Sequence, residues 1–221
     1  QDIRTRSTPE PSQSTWQFDQ PAWLDDLIQA AWVLWLSVAV VLMVRRITSY
    51  QGFLRFIKAG SFPASSPDTR QCLDEVRQKM GIRRPLPVWI NKLAVSPMLP
   101  GVFHPMIILT TEDCSPEEMW MILRHELTHY QRGDIFTKWL VQLAICIHWF
   151  NPAVRLIGRH MESLCELACD EQVLSSLSAP EKRCYGDTLI HSLKDKGTYG
   201  DIIVSITLNE NLSLLKERLS A

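Results

Sequence analysis

Two histidines and a glutamate stand at a spacing that suits a hydrolytic metal site. They are His125, Glu126 and His129, within the run Arg124-His-Glu-Leu-Thr-His129. Side chains four residues apart lie on one face of an α-helix, so both imidazoles can direct a ring nitrogen at the same ion. This HExxH pattern is typical of zinc metalloproteases, in which the glutamate is the general base. The pattern therefore predicts Zn²⁺ as cofactor, with His125 and His129 as ligands and Glu126 as the catalytic residue.

The residues before this motif predict that it lies on a helix. Ser115, Pro116 and Glu118 form a capping box with proline at the first helical position. Apolar residues then recur at helical spacing at Met119, Trp120, Ile122 and Leu123. HExxH specifies only three positions and can arise by chance, but the cap and the helical period argue against a chance match.

The third ligand must come from another part of the chain. Metzincins continue with a glycine and a third histidine, but those positions hold Arg132 and Ile135, which excludes that class. A later helical stretch carries Glu166 and, one turn further on, Asp170. We predict Glu166 as the third ligand and Asp170 as the carboxylate that accepts the N–H of a ligating histidine. Glu162, one turn before Glu166, is the competing ligand.

Two cysteines, Cys165 and Cys169, lie on the same helical stretch as Glu166. Without a second cysteine pair at zinc-finger spacing, they are expected to be small packing residues rather than ligands. The other histidines are expected to be structural or exposed, and they are His104, His148, His160 and His191. Of these, His160 is the one that could donate a hydrogen bond to a transition state.

A small sheet and further helices must position the metal helix. Ser66-Pro67-Asp68 opens a helix that ends near Gly81. Two β-rich segments, 86–95 and 106–111, flank the loop 97–101 and predict a small antiparallel sheet. An exposed edge strand directly before the metal helix could hold a substrate in extended form through main-chain hydrogen bonds. The expected fold class is α+β and mostly helical.

One segment is far more apolar than the chain as a whole, which is 46% hydrophobic. Residues 27–44 contain no charge, and their number is close to the roughly 20 needed to cross about 30 Å of hydrocarbon. Gln29 and Ser37 are the only polar residues there, whereas a buried core helix of this length normally shows a polar stripe. We therefore predict a transmembrane helix.

The charges around this segment predict its orientation. Asp25 and Asp26 precede it, and basic residues follow it closely at Arg45, Arg46, Arg55 and Lys58. An excess of lysine and arginine marks the cytoplasmic side, so the protein is expected in the cell membrane with its active site facing the cytoplasm. All six cysteines come after the segment, where a reducing cytosol would keep them as thiols.

The chain is accordingly expected to divide into four regions: a flexible extracytoplasmic segment at 1–26, a transmembrane helix at 27–44, a juxtamembrane linker at 45–66 and a cytoplasmic zinc metallopeptidase domain at 67–221. Within the last region, the apolar segment 135–150 is too short and too mixed for a span. It is expected to be a buried helix or to lie at the membrane interface, where Trp139 and Trp149 would fit. The tail from Ala179 is predicted to form two polar helices.

Several stretches resemble the BlaR/MecR-type membrane metallopeptidases, whose gluzincin-like domain transmits a signal by intracellular proteolysis. The resemblance is carried by Ser96-Pro97 with Gly101, PMIILT at 105–110, RHELTHYQRGD at 124–134, HWFNP at 148–152, ELACD at 166–170 and LKERL at 215–219. Together these stretches span most of the chain beyond residue 85. The resemblance implies a membrane-anchored, zincin-like metalloprotease domain.

The same resemblance implies roles for individual residues. His125, His129 and Glu166 would bind zinc. Glu126 would be the general base, and Asp170 would support the site. A sixth residue, Asp134, matches an acidic position in the family's extended motif and is expected to support a ligand or the local structure.

Family members usually carry several transmembrane helices and often a sensor domain, whereas one clear span is present here. The chain also begins with Gln1 rather than Met, so we expect it to be part of a longer protein. The expected function is zinc-dependent cleavage of a cytoplasmic regulator, such as a transcriptional repressor, or of the chain itself in response to a signal. The expected partners are this protein substrate and membrane lipid. A net charge of −1 without a basic face argues against nucleic acid.

Two other functions fit parts of the sequence. A catalytically silent membrane scaffold or signalling protein could keep zinc as a structural element, but such a site needs no general base, and Glu126 is present. An intramembrane protease would bury the motif in the bilayer. The charged residues beside the motif make that placement costly, namely Glu117, Glu118, Arg124, Arg132 and Asp134.

Overall fold

The computed structural model describes residues 22–94 and 96–194, and the helices and strands below are those of this part of the chain. The helices are α1 Ala22–Ala59, α2 Pro67–Lys79, α3 Pro116–Arg132, α4 Asp134–Ile147, α5 Pro152–Ser175 and α6 Ala179–Lys194. The strands are β1 Phe62–Pro63, β2 Val88–Ile90 and β3 Ile107–Leu109. The chain divides into two compact units, residues 1–38 and 39–221. Most of the predicted flexible segment 1–26 and the second predicted tail helix lie outside the described residues.

Helix α1 contains the predicted transmembrane segment. Among the described residues it is the one helix long and apolar enough to cross a membrane. Only 6% of its most apolar 18-residue stretch is buried. Its length and composition therefore agree with the prediction of a span. The helix continues beyond residue 44 to Ala59, so most of the segment predicted as a juxtamembrane linker, 45–66, is helical.

The three strands form one small mixed sheet in the order β1-β2-β3. The predicted antiparallel sheet is wrong, because β2 and β3 run parallel, with Val88 opposite Ile107 and Ile90 opposite Leu109. Strand β1, which the sequence did not suggest, pairs antiparallel with β2. Parallel neighbours need a long connection that returns the chain to the same end of the sheet, and residues 91–106 provide it. This connection also lies along the outer edge of β3.

The main core lies between α2, the sheet and α3. Its fully buried members include Val76 of α2, Ile107 of β3, and Leu123 and Leu127 of α3. Each such side chain contributes about 1.5–3 kcal/mol to folding through its removal from water. Helix α2 covers the residues for which the sequence predicted a helix. Helix α3, the predicted metal helix, packs against the core through the face that carries Leu123 and Leu127.

Helices α4 and α5 form an antiparallel pair joined by a short turn. They approach closely at Gly158, where an added Cβ would lie 2.8 Å from the Ile145 side chain. Asn151 caps α5 by accepting a hydrogen bond from the Ala153 N–H. This pairing brings the middle of α5, including Glu166, back to α3.

Candidate metal centre

The HExxH motif lies on α3, as the sequence predicted. Ser115 and Glu118 form both hydrogen bonds of the predicted capping box. At the other end, Gly133 adopts the left-handed conformation with φ of 70°, which few other residues adopt, and Asp134 begins α4 directly afterwards. The Nε2 atoms of His125 and His129 lie 3.1 Å apart on one face of the helix.

Glu166 approaches both histidines from α5, which packs against α3. Its Oε2 atom lies 3.7 Å from Nε2 of His125 and 3.5 Å from Nε2 of His129. In a tetrahedral site with bonds of about 2.0–2.1 Å, neighbouring ligand atoms are about 3.3 Å apart. The three atoms therefore form a triangle of the size that one zinc ion requires.

His129 is oriented by the start of α4. Its Nδ1 atom lies 2.6 Å from Oδ2 of Asp134, so an N–H at Nδ1 donates to this carboxylate and leaves the Nε2 lone pair free. Asp134 is 4% exposed and also accepts hydrogen bonds from Arg132 Nε at 3.2 and 3.3 Å. The structure thus places Asp134 behind a predicted ligand.

His125 is oriented by a buried tyrosine that the sequence analysis did not single out. Its Nδ1 atom lies 2.7 Å from the hydroxyl of Tyr185 on α6. That hydroxyl donates to Oδ1 of Asp170 at 2.6 Å, whereas the carboxylate itself is 3.4 Å from the ring. The contact predicted between Asp170 and a ligating histidine therefore runs mainly through Tyr185. No local signal marks this tyrosine, which lies sixty residues after its partner.

Cys169 adds a second combination of ligands. His125, His129 and Cys169 have donor atoms close enough to one another to hold a metal ion. The Cys169 sulfur is fully buried and lies 3.7 Å from Nδ1 of His125 and 3.6 Å from its backbone oxygen. The thiol therefore contacts the side of His125 opposite Nε2, whereas Glu166 contacts the Nε2 side.

The groups around His125 and His129 favour the protonated, positively charged form of both imidazoles. Burial lowers the pKa of His125, but its contacts with Asp170, Cys169 and Glu166 hold the pKa well above its ordinary value. Burial likewise lowers the pKa of His129, while Cys169 and Glu166 raise it to about 10. Burial raises the pKa of Glu166, but hydrogen bonds to both histidines hold it far below its usual range. A metal ion bound here would displace these protons, so its affinity would rise with pH.

Glu126 lies beside the histidines and is 7% exposed. Burial raises the pKa of its carboxyl, and the charges of His125 and His129 lower it in part. The residue borders a cavity of about 1420 Å³ that the loop 96–101 also lines. This volume exceeds the roughly 300–1,000 Å³ of most small-molecule pockets.

The remaining residues considered in the sequence lie around this centre. Glu162 is exposed and borders the cavity, as does the exposed His160, whereas Lys138 contacts Glu166, with Nζ 3.6 Å from Oε1. Cys165 is buried in the helix pair, as expected of a packing residue. Three other histidines lie elsewhere: His104 and His148 are exposed, and the side chain of His191 lies outside the described residues.

Comparisons with known proteins relate this chain to a peptidase family. The model of the family described as BlaR1 peptidase M56 matches residues 4–221. The regulatory protein BlaR1 of Bacillus licheniformis is 28% identical over 152 residues, which cover 67% of this chain and 24% of that protein. The methicillin resistance mecR1 protein of Staphylococcus aureus is 33% identical over 98 residues, or 43% of this chain and 17% of that protein. The regulatory protein BlaR1 of Staphylococcus aureus is 20% identical over 207 residues, or 88% and 34%. The chain therefore spans no more than about a third of the length of these relatives.

Proposed function

Because this chain belongs to the BlaR1 peptidase M56 family, we propose that it is a membrane-anchored, zinc-dependent endopeptidase that cleaves a regulatory protein or itself in response to a signal. The observation that carries the proposal is the triangle of His125, His129 and Glu166 with Glu126 beside it. The names of the relatives describe regulatory and resistance proteins, which supports a regulatory substrate such as a transcriptional repressor.

We assign zinc to Nε2 of His125, Nε2 of His129 and Oε2 of Glu166. The hydrogen bonds of both Nδ1 atoms leave these Nε2 lone pairs free, and Lys138 holds the second oxygen of Glu166. When bound, the ion would polarise a peptide carbonyl and acidify a water molecule. Cys169 is the less suitable third ligand because its sulfur contacts the opposite side of His125.

Glu126 is assigned as the general base. Its carboxyl is buried, which raises its pKa toward the pH at which it must both accept and release a proton. In this role it takes the proton of the attacking water and transfers it to the amine that leaves. A purely structural metal site would have no use for such a group at this position.

The substrate is proposed to bind along the segment 96–101 rather than along β3. The outer edge of β3 is already occupied, since Met98 and Ile108 exchange two backbone hydrogen bonds of 3.0 and 2.9 Å. Backbone groups of successive extended residues point to opposite sides, so those of Leu99 are directed away from β3. Leu99 borders the cavity with the metal centre, and an extended peptide paired with it would lie beside Glu126.

The membrane anchor is proposed to be α1, with the metal centre in the cytoplasm. The helix is apolar and long enough to cross a bilayer. Acidic Asp25 and Asp26 precede the apolar segment, and basic Arg45 and Arg46 follow it. This asymmetry supports an orientation in which the residues after the span, including α3, face the cytoplasm.

The proposal is tested on the purified, detergent-solubilised chain and on Glu126→Gln, by metal analysis together with intact mass after incubation with an unstructured polypeptide. We expect one zinc in both proteins and cleavage by the wild type only, with activity lower by about 10²–10⁴-fold in the variant. If both hold zinc and neither cleaves under any condition tried, the silent scaffold becomes the better description.

Three further variants test the ligand assignment. Glu166→Gln should lose zinc, and Cys169→Ser should keep it. Glu162→Gln is the matched control, because it removes an exposed carboxylate from the same helix and borders the same cavity. Loss of zinc in Cys169→Ser with retention in Glu166→Gln would transfer the third ligand to the cysteine.

A further inference from the structure

Large apolar side chains lie exposed on the outer surface of the α4–α5 pair. Leu140 is 67% exposed, Leu143 39%, Ile157 57% and Leu164 54%. We call these four residues the apolar stripe. Surface leucines that occur singly need no explanation, but a continuous set on two adjacent helices indicates a contact surface.

The four residues share one side of the helix pair. The pair packs where Gly158 of α5 meets Val141 and Ile145 of α4. Successive helical residues are rotated by about 100°. On α5, Ile157 and Leu164 are therefore rotated by about −100° and −120° from Gly158. On α4, Leu140 is rotated by about −100° from Val141 and −140° from Ile145. In an antiparallel pair, rotation in the same sense brings these three residues to the same side, and Leu143, at about −160° to −200°, lies at the edge of that side.

The four stripe residues are directed away from the metal centre, although Phe136, one turn before Leu140, borders its cavity. Glu166 follows Leu164 by two residues and is therefore rotated from it by about 200°. Lys138 of α4 contacts Glu166 and so lies on the same side as the metal centre. None of the four stripe residues lines the cavity of the site. Binding of the substrate therefore does not account for the stripe.

Helix α4 touches α1 at a pair of aromatic rings, in the part of α1 that follows the predicted span. The ring of Trp139 is 5.2 Å from that of Tyr50 on α1, in an edge-to-face contact. Tyr50 comes six residues after the predicted end of the span at residue 44, or about 9 Å further along the helix. The headgroup layers widen a bilayer from about 30 Å to about 40–45 Å, or by about 5–8 Å on each side, so this contact lies at the outer limit of the headgroup layer.

The chemistry of the stripe suits lipid better than another helix. Helices that pack together within a bilayer do so mainly through small residues, whereas the stripe consists of leucine and isoleucine. Aromatic residues of the kind found at membrane interfaces, Trp149 and the 60% exposed Phe150, occupy the turn between the two helices.

We propose that the apolar stripe lies in the interfacial layer of the membrane that α1 crosses. The α4–α5 pair then rests on the bilayer, and its opposite side carries Lys138 and Glu166 toward the substrate. This inference rests on the proposed anchoring by α1 and adds a second, peripheral membrane contact to it.

The test uses the full chain reconstituted in vesicles of phosphatidylglycerol and phosphatidylethanolamine. The photoreactive residue p-benzoylphenylalanine replaces Leu140 or Ile157, and the products of irradiation are identified by intact mass. The matched control replaces Leu93, which is 71% exposed but lies beside Gly60 near the far end of α1. A fourth variant replaces Val41, which is 65% exposed within the predicted span.

We expect lipid adducts at positions 140 and 157, with a yield several-fold above that at position 93. Lipid adducts at position 41 without any at 140 and 157 would overturn the inference while the anchoring by α1 stands. Cross-links between two copies of the chain at 140 and 157 would also overturn it, because the stripe would then be a dimer contact. Without lipid adducts at any position, both the inference and the membrane anchoring would fail.

Discussion

The two histidines of the motif occupy equivalent positions on α3 but are held in different ways. His129 is held by Asp134, five residues later, in the turn that joins α3 to α4. His125 is held by Tyr185 and through it by Asp170, which lie on two other helices. One histidine is therefore oriented by local structure and the other by tertiary packing. Complete assembly of the proposed metal centre requires that α5 and α6 are docked against α3.

The largest loss of zinc affinity in this comparison is expected from Asp134→Asn, which acts on His129. The change removes the negative charge that lies 2.6 Å from Nδ1 of His129. Asp134 uses both oxygens, for His129 and Arg132, whereas asparagine can accept from only one of them and turns its amide NH2 toward the other. Loss of a carboxylate behind a metal-binding histidine typically lowers metal affinity by about 10–100-fold, and we expect the upper part of this range. Competition with a chromophoric zinc chelator measures it.

Asp113→Asn is the control for this experiment, since Asp113 is an exposed carboxylate in the loop before α3. Equal zinc affinity in Asp134→Asn and Asp113→Asn would show that Asp134 does not orient His129. Local structure would then not explain how this histidine is held.

A smaller effect is expected on the other side, from Asp170→Asn. An asparagine carbonyl can still accept the Tyr185 hydroxyl, so the hydrogen-bonded chain to His125 persists without its negative charge. We expect zinc affinity to fall by about 10-fold, the lower end of the range for such residues. The same chelator competition is used, with thermal unfolding of the metal-free protein as a check on folding. A greater loss of zinc affinity than in Asp134→Asn would mean that His125 depends on its supporting carboxylate more strongly than His129 does.

Most of the locally determined part could be predicted from the sequence. The capping box at Ser115 and Glu118 is confirmed, because its two hydrogen bonds join residues only three apart. Helix α2 begins at the predicted Pro67, whose ring fixes φ at a value that suits the first helical position, although Ser66 makes no side-chain cap hydrogen bond. The sequence also indicated Asp170 and Glu166 by their helical spacing, and the structure brings Glu166 to both histidines and Asp170 to His125.

The parts that were not predicted depend on contacts between distant residues. Short apolar segments such as Val88–Ile90 and Ile107–Leu109 do not indicate the relative direction of two strands, so parallel pairing was missed. Strand β1 is only two residues long and gives no pattern. Tyr185 looks in the sequence like any core residue of an amphipathic helix. Its role becomes visible only when α6 places its hydroxyl between His125 and Asp170.

A still smaller effect is expected from Tyr185→Phe. The ring of this residue is 2% exposed and its packing is retained, so only the hydroxyl is lost. Oδ1 of Asp170 already lies 3.4 Å from Nδ1 of His125 and can approach to form the direct hydrogen bond. We therefore expect zinc affinity to fall only a few-fold, with a shifted absorption spectrum of the cobalt-substituted protein. Tyr130→Phe is the control, since it removes the hydroxyl of a tyrosine on α3. It should leave the zinc affinity and the cobalt spectrum unchanged.

The finest test compares double variants. Tyr185 and Asp170 act on His125 as one chain of hydrogen bonds, so the zinc affinity lost in Asp170→Asn with Tyr185→Phe should differ clearly from the sum of the single losses. Asp134 acts on the other histidine, so Asp134→Asn with Asp170→Asn should be additive to within about 0.3–0.5 kcal/mol. Stronger coupling between Asp134 and Asp170 than between Tyr185 and Asp170 would mean that the two histidines are held as one unit. The distinction between local and tertiary orientation would then not describe how this metal centre forms.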